Sequence, residues 1–224
     1  DPSSWTVRGS YDGTTWTTID ARSDEKFAWR RQTRPFKIAL PGRYKHYSIV
    51  AEGTLAEVEL LGKPAPACTT TISDEVSGAL TISSGVTCLA PGATVKGLVT
   101  VRGGASLHAT GANLRTALTA TGSGTVSLIG STVSGSVTAT GSGAVSLAAS
   151  TVSGFVTATN SGPVSIESST VRGIVTLTGG KTSTVVAGNT INGALTCTAN
   201  KPAPVNNGLR NTGTGLRLGQ CSKL

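Results

Sequence analysis

The chain has 224 residues, a net charge of +8, 4% aromatic residues and no methionine, so it lacks the bulky side chains of an ordinary large core, yet its 38% hydrophobic content is too high for disorder. It contains no run of 18 apolar residues that would cross a membrane as a helix, and no dense basic stripe interleaved with aromatics that would mark a nucleic-acid-binding surface. Residues 1–67 carry ten Lys/Arg against eight Asp/Glu and residues 68–224 carry nine against three; the excess in the second part implies weak attraction to anionic polymers such as those of cell walls.

Residues 1–62 hold all the Trp and Tyr and two of the three Phe. Strands are predicted at Trp5-Thr6-Val7 and Trp16-Thr17-Thr18-Ile19, on either side of a turn at Asp12-Gly13. Residues 44–50 and 55–61 alternate polar and apolar with period two, which predicts two further strands. Such a short set of strands makes a poor independent core. The cluster Trp29-Arg30-Arg31-Gln32-Thr33-Arg34 has the chemistry to stack on a sugar, although a framework strand is the favoured reading, and His46 reads as a strand surface residue. Residues 63–67 form a Pro/Ala linker with a stiff, extended bias.

The segments Asp1-Pro2-Ser3-Ser4-Trp5-Thr6-Val7-Arg8-Gly9-Ser10-Tyr11-Asp12-Gly13-Thr14-Thr15-Trp16, Phe27-Ala28-Trp29-Arg30, Tyr44-Lys45-His46-Tyr47 and Leu55-Ala56-Glu57-Val58-Glu59-Leu60 together resemble the C-terminal half of a discoidin-type (coagulation factor 5/8 type C) β-sandwich. That jelly-roll family overlaps the family-32 carbohydrate-binding modules, and the version here looks like the one appended to secreted actinobacterial glycoside hydrolases of the family-92 α-mannosidase type. The resemblance implies carbohydrate binding and a structural calcium to which Glu57, in the closing Ala-Glu motif, would contribute. Such a sandwich is about twice as long, so its first strands, most ligand loops and the other calcium ligands would belong to an N-terminal remainder of the polypeptide. Without them Glu57 is expected to be a solvated carboxylate.

From residue 68 onward a 19-residue period takes over. One apolar column reads Val76, Val95, Leu114, Val133, Val152, Val171, Ile191, and a second reads Leu80, Val99, Leu118, Val137, Val156, Val175, Leu195. A period this short, rich in Gly, Thr, Ser and Val, predicts a solenoid of three short strands per coil. Alternation would send Val137 and Ala139 inward and Thr138 and Thr140 outward, with Val145, Leu147, Val164 and Ile166 also inward. The glycines at 97, 135, 154, 173 and 193 recur at one corner, where positive φ or close backbone approach is expected; Asn160, Asn189, Asn192 and Asn200 are expected at corners because Asn tolerates left-handed geometry. The fold class is therefore all-β: a partial β-sandwich, then a single-stranded parallel β-helix of about seven 19-residue rungs over residues 68–224, with residues 201–224 as part of its cap.

Four cysteines bracket the repeats. Three pairings are formally possible, and Cys68–Cys88 with Cys197–Cys221 would staple the two ends, which suits a secreted, oxidised protein. No CxxC spacing occurs and the two histidines stand apart, so no metal site is expected. Residues 76–200 contain one acid, Glu167, so paired carboxylates cannot assemble there, and His108 has no aspartate after Asp74 to orient it. This chain is expected to be non-catalytic.

Thr119/Thr121, Thr138/Thr140, Thr157/Thr159, Thr176/Thr178 and Thr196/Thr198 form an outward T-x-T ladder over five rungs, interrupted by Arg102. Thr favours strands, and stacked hydroxyls can bond along a ladder, so a structural role is the bland expectation. The same array offers a hydroxyl-rich face to a glycan or cell-wall polymer, and it also resembles the ice-binding surfaces of small β-helical antifreeze proteins. The leading expectation is a non-catalytic accessory region of a larger secreted carbohydrate-active enzyme, combining carbohydrate or cell-wall binding with a rigid spacer. The alternatives are a self-associating or adhesive β-helix, whose open ends invite polymerisation, and an ice-binding module.

Overall fold

The computed structural model describes residues 2–10, 13–29, 32–38, 44, 46–55, 57–60 and 67–224. Asp1, Tyr11, Asp12, Arg30, Arg31, Lys45, Ala56, Leu61 and the linker residues 63–66 lie outside those described. Every regular element among the described residues is a strand. The chain separates into two compact units, Asp1–Ala65 and Pro66–Leu224.

The first unit is a small antiparallel sheet of β1 (Trp5–Ser10), β2 (Thr17–Arg22) and β3 (His46–Ala51), in the order β2-β1-β3. A bulge between Val7 and Arg8 sets Ile19 into the interior, where it and Val7 are buried. On one side Trp5 packs edge-on against Phe36, with Phe27 beside both. Arg34 lies over Phe36 at 4.7 Å and Phe27 at 5.4 Å and pairs with Glu25 at 3.1 Å. The strand predicted over residues 55–61 does not form among its described residues. Alternation alone does not make a strand there: Leu55, Val58 and Leu60 remain exposed, with no apolar layer to reward pairing.

The second unit is a parallel β-solenoid of about eight turns, one more than the period predicts. Sheet I runs from Thr70–Ile72 to Thr184–Ala187, sheet II from Glu75–Val76 to Thr190–Ile191, and sheet III from Leu80–Ile82 to Arg217–Gly219. Each strand pairs in parallel with its equivalent one coil away: Val133 with Val152 and Val152 with Val171, Val137 with Val156 and Val156 with Val175. The extra turn comes from the tail, which winds on as a coil. Val205 bridges to Val185, Thr212 to Thr190, and Arg217–Gly219 adds to Leu195–Thr198.

Strand alternation fills the interior with short branched side chains. Val126, Leu128, Val133, Val137, Ala139, Leu147 and Ile166 are all at most 1% exposed. Each such Val or Leu contributes about 1.5–3 kcal/mol through burial, so the stack needs no aromatic residue. The repeated glycine corner works by close approach: a Cβ on Gly154 would stand 2.8 Å from the backbone of Gly135, and one on Gly173 would stand 2.5 Å from the carbonyl oxygen of Gly154. Left-handed residues occupy the other two corners, with Asn160 at φ 49° and Ser168 at φ 48°.

Asn189 and Asn200 do something else. They are buried and form inner polar ladders rather than left-handed turns. In the corner between sheets I and II, the N–H of Ala112 donates to the Ser131 hydroxyl, Ser131 to Ser150, Ser150 to Ser169, Ser169 to Asn189 Oδ1 and Asn189 to Asn211 Oδ1. Between sheets III and I, the Ser123 and Ser142 hydroxyls bond at 2.9 Å, and Asn200 and Gln220 complete the column. These side chains give corner N–H groups acceptors that water cannot reach.

The two expected disulfides are present. Cys68–Cys88 lies on the outer side of sheet I, with Cys68 exposed, whereas Cys197–Cys221 is fully inside and closes the core at the last coil. At the first coil Ile72, Val76 and Leu80 are only partly buried among the described residues.

A threonine face as candidate functional site

Sheet III turns alternate residues outward, and this places the T-x-T residues on one face. Thr119, Thr138, Thr157, Thr176 and Thr196 stack in register, as do Thr121, Thr140, Thr159, Thr178 and Thr198. The first column is longer than the motif suggested. Thr81 and Thr100 continue it toward the N-terminus, and Leu218 follows Thr196 at the other end. Nineteen-residue steps back from Thr119 would have found both threonines. Arg102 stands beside Thr121 and ends the second column, so the array from Thr119 to Thr198 carries no charge.

Among the described residues, none of these hydroxyls bonds to a neighbouring threonine. From Thr100 to Thr196 the first column is half-buried, and Thr81, Thr121, Thr140 and Thr198 are exposed. Their donors and acceptors therefore face outward, at coil intervals of about 4.8 Å. Isolated apolar side chains border the face. Leu98, Phe155, Ile174 and Leu216 immediately precede sheet III strands and are 44–69% exposed, but only Phe155 and Ile174 lie on adjacent coils, with Ala117, Ser136 and Ala194 at the same position between the others. The same near-identical repeats set a second outward column on sheet II, Thr132, Thr151, Thr170 and Thr190.

The remaining chemistry is sparse. Glu167, the one acid of the repeats after Glu75, accepts from the Ser165 hydroxyl. His108 neighbours Ser127 in register, and Ser165, which bonds Glu167, lies two coils beyond Ser127, about 10 Å away. In the first unit a shallow open depression is lined by Ser4, Trp5, Thr6, Arg22, Val50, Ala51 and Glu52. Arg22 there bonds Asp20 at 2.9 Å, and this hydrogen bond raises the guanidinium further above its ordinary value. Trp29 is 66% exposed, whereas Arg34 is held by Glu25, Phe27 and Phe36.

Glu57 is exposed, and the described residues contain no group of three His, Cys, Asp or Glu able to hold a metal ion. The described residues do not by themselves assemble a site for the calcium that the sandwich resemblance implies. Searches against family models, curated proteins and solved structures found no match to this chain.

Proposed function

We propose that this chain is a non-catalytic accessory region of a larger secreted carbohydrate-active enzyme, in which the solenoid is a rigid spacer whose threonine face binds a neutral polysaccharide or cell-wall polymer. The observation that carries this reading is the in-register, uncharged T-x-T array, with hydroxyls unspent on one another and the Phe155–Ile174 pair alongside. Sugar polymers present hydroxyls and apolar ring faces in alternation, and such a surface can meet both. The first unit would contribute carbohydrate binding as half of a discoidin-like jelly-roll sandwich, completed by an N-terminal remainder that also supplies any calcium ligands and any active site. Two disulfides support an extracellular setting.

The test is co-sedimentation of the full chain with insoluble polysaccharides and purified cell walls, comparing wild type with a Thr138→Val, Thr157→Val, Thr176→Val variant. Val keeps the strand preference and the shape but removes the hydroxyl. Retention by wild type and its loss in the variant support the reading; equal retention of both sinks the assignment to this face. A second reading, ice binding, is favoured by the regular spacing and neutrality of the same columns. Absence of thermal hysteresis and of ice-crystal shaping would dispose of it.

A further inference from the structure

The corner ladder between sheets I and II is an unfinished series. In each coil a backbone N–H donates to the side-chain oxygen one coil further on, from Ala112 through Ser131, Ser150, Ser169 and Asn189 to Asn211. Asn211 spends its amide on Val186 and its Oδ1 on Asn189, while among the described residues its own N–H has no acceptor. At the opposite end the same column begins with Asp74, one residue before the Glu75–Val76 strand that stacks under Thr94–Val95. A coil placed above Asn211 in the phase of this solenoid would therefore set a residue equivalent to Asp74 over that N–H. Asp74 is exposed and accepts from the hydroxyl of its neighbour Ser73. A carboxylate on a backbone N–H is a charge-assisted bond, about twice as strong as a neutral one.

Charge agrees with this placement. Of the three acids in residues 68–224, Asp74 and Glu75 stand together on the first coil. After Glu167 the chain has six Lys/Arg and no acid. Two of these cations flank the open ladder term: exposed Arg210 precedes Asn211, and Arg217 donates to the Thr212 carbonyl at 2.8 Å and to Gly215 at 2.9 Å. Thr212 continues the sheet II column that starts at Glu75, so Glu75 in the next coil position would stand beside the Arg217 guanidinium. Glu75 already pairs with Lys96, but both are about half exposed (51% and 54%), and such a pair is weak enough to share.

The edges match as well. Among the described residues, the first strands of all three sheets have no strand partner on their outer sides, and the last coil ends sheet III with Arg217–Gly219 as an edge without one. Ile72, Val76 and Leu80, partly exposed at one end, would rest on the closure made by Cys221 and Leu224 at the other.

We infer that a second copy of this chain docks head to tail on the solenoid, setting Asp74 and Glu75 of one copy on Asn211, Arg210 and Arg217 of the next. The interface is heterologous, so it propagates as a linear series rather than stopping at a dimer. It does not depend on polysaccharide binding, and the two ideas fail separately.

The test is sedimentation velocity of the full chain over a range of concentrations at low ionic strength (~0.05 M) and high ionic strength (~0.5 M). Expected are concentration-dependent species beyond the dimer that weaken with salt. Reversing one end (Asp74→Arg with Glu75→Arg) or the other (Arg210→Glu with Arg217→Glu) should weaken association at least about tenfold. Mixing the two reversed chains should restore it, because each then offers ends complementary to the other. Arg115→Glu, a charge change in a middle coil, should leave it unchanged. A monomer at every concentration overturns the proposal, as does a series that stops at two, or association that ignores both reversals. Far-UV circular dichroism of each reversed chain separates loss of association from loss of fold, and the wild-type measurement stands on its own.

Discussion

Asn189 offers the sharpest test of the buried ladders. Its Oδ1 accepts the Ser169 N–H at 2.8 Å, and its amide donates to the Ile166 carbonyl at 2.7 Å and to Asn211 Oδ1 at 2.9 Å, all at 1% exposure. Asn189→Ala leaves the Ser169 N–H without an acceptor in a dry corner, a cost of about 1–3 kcal/mol, and the lost carbonyl contact and small void bring the total to about 2–4 kcal/mol. Ser150→Ala removes one acceptor for Ser131 and one donation to Ala148, and should cost about 1–2 kcal/mol. Asn189→Asp keeps the acceptor but aims carboxylate oxygens at two other oxygens, and should cost at least as much as alanine near neutral pH. Desolvation raises the pKa of that new carboxyl above its unfolded value, so the folded chain takes up the proton first and the Asp penalty shrinks as pH falls. The assay is denaturant unfolding followed by far-UV circular dichroism, with hydrogen exchange at the affected coils as a local readout. An Asn189→Ala variant within about 0.5 kcal/mol of wild type would refute the reasoning, because it would mean the corner is wet.

The two disulfides should part company under reductant. Under native conditions, mass spectrometry after alkylation is expected to show Cys68 and Cys88 labelled first, because Cys68 is exposed while Cys197 and Cys221 are fully buried; simultaneous labelling would contradict this. Cys68→Ser with Cys88→Ser opens a loop of separation 20 and should cost about 3 kcal/mol, seen as faster exchange in the first coil rather than the last. Gly173→Ala should be costly although it adds one methyl group, since the new Cβ meets the Gly154 carbonyl oxygen at 2.5 Å and the backbone must move. Expected is a loss of at least about 1 kcal/mol by thermal melting, against nearly no change for Ala at Ser153, which is exposed.

Most of the solenoid could be read from the spacing of its apolar residues. The columns from Val76 to Ile191 and from Leu80 to Leu195 are the inner rows of sheets II and III, because a parallel coil makes sequence period and spatial neighbour the same thing. The last turn could not be read that way. Between Thr190 and Thr212 the step stretches to 22, and Arg217 and Gly213 replace Leu195 and Ile191 in the columns, so the apolar signal ends before the coil does. The buried ladders were hidden for another reason: Ser and Asn at a corner have the same composition whether they face water or replace it. In the first unit, alternation at residues 55–61 suggests a strand, but its described residues are exposed and form none. The T-x-T face was legible as a pattern, and its extension through Thr81 and Thr100 was present in the same arithmetic.

Because each coil repeats the backbone of the last in register, the rod behaves like a graduated ruler. Duplicating or deleting one 19-residue unit would change its reach by a single step of about 4.8 Å and leave every face in the same rotational phase. Sheet III spans seven such steps, about 34 Å. Span and surface chemistry are thus independent variables in this architecture: a lineage can adjust how far the molecule extends without redesigning what it presents along the way.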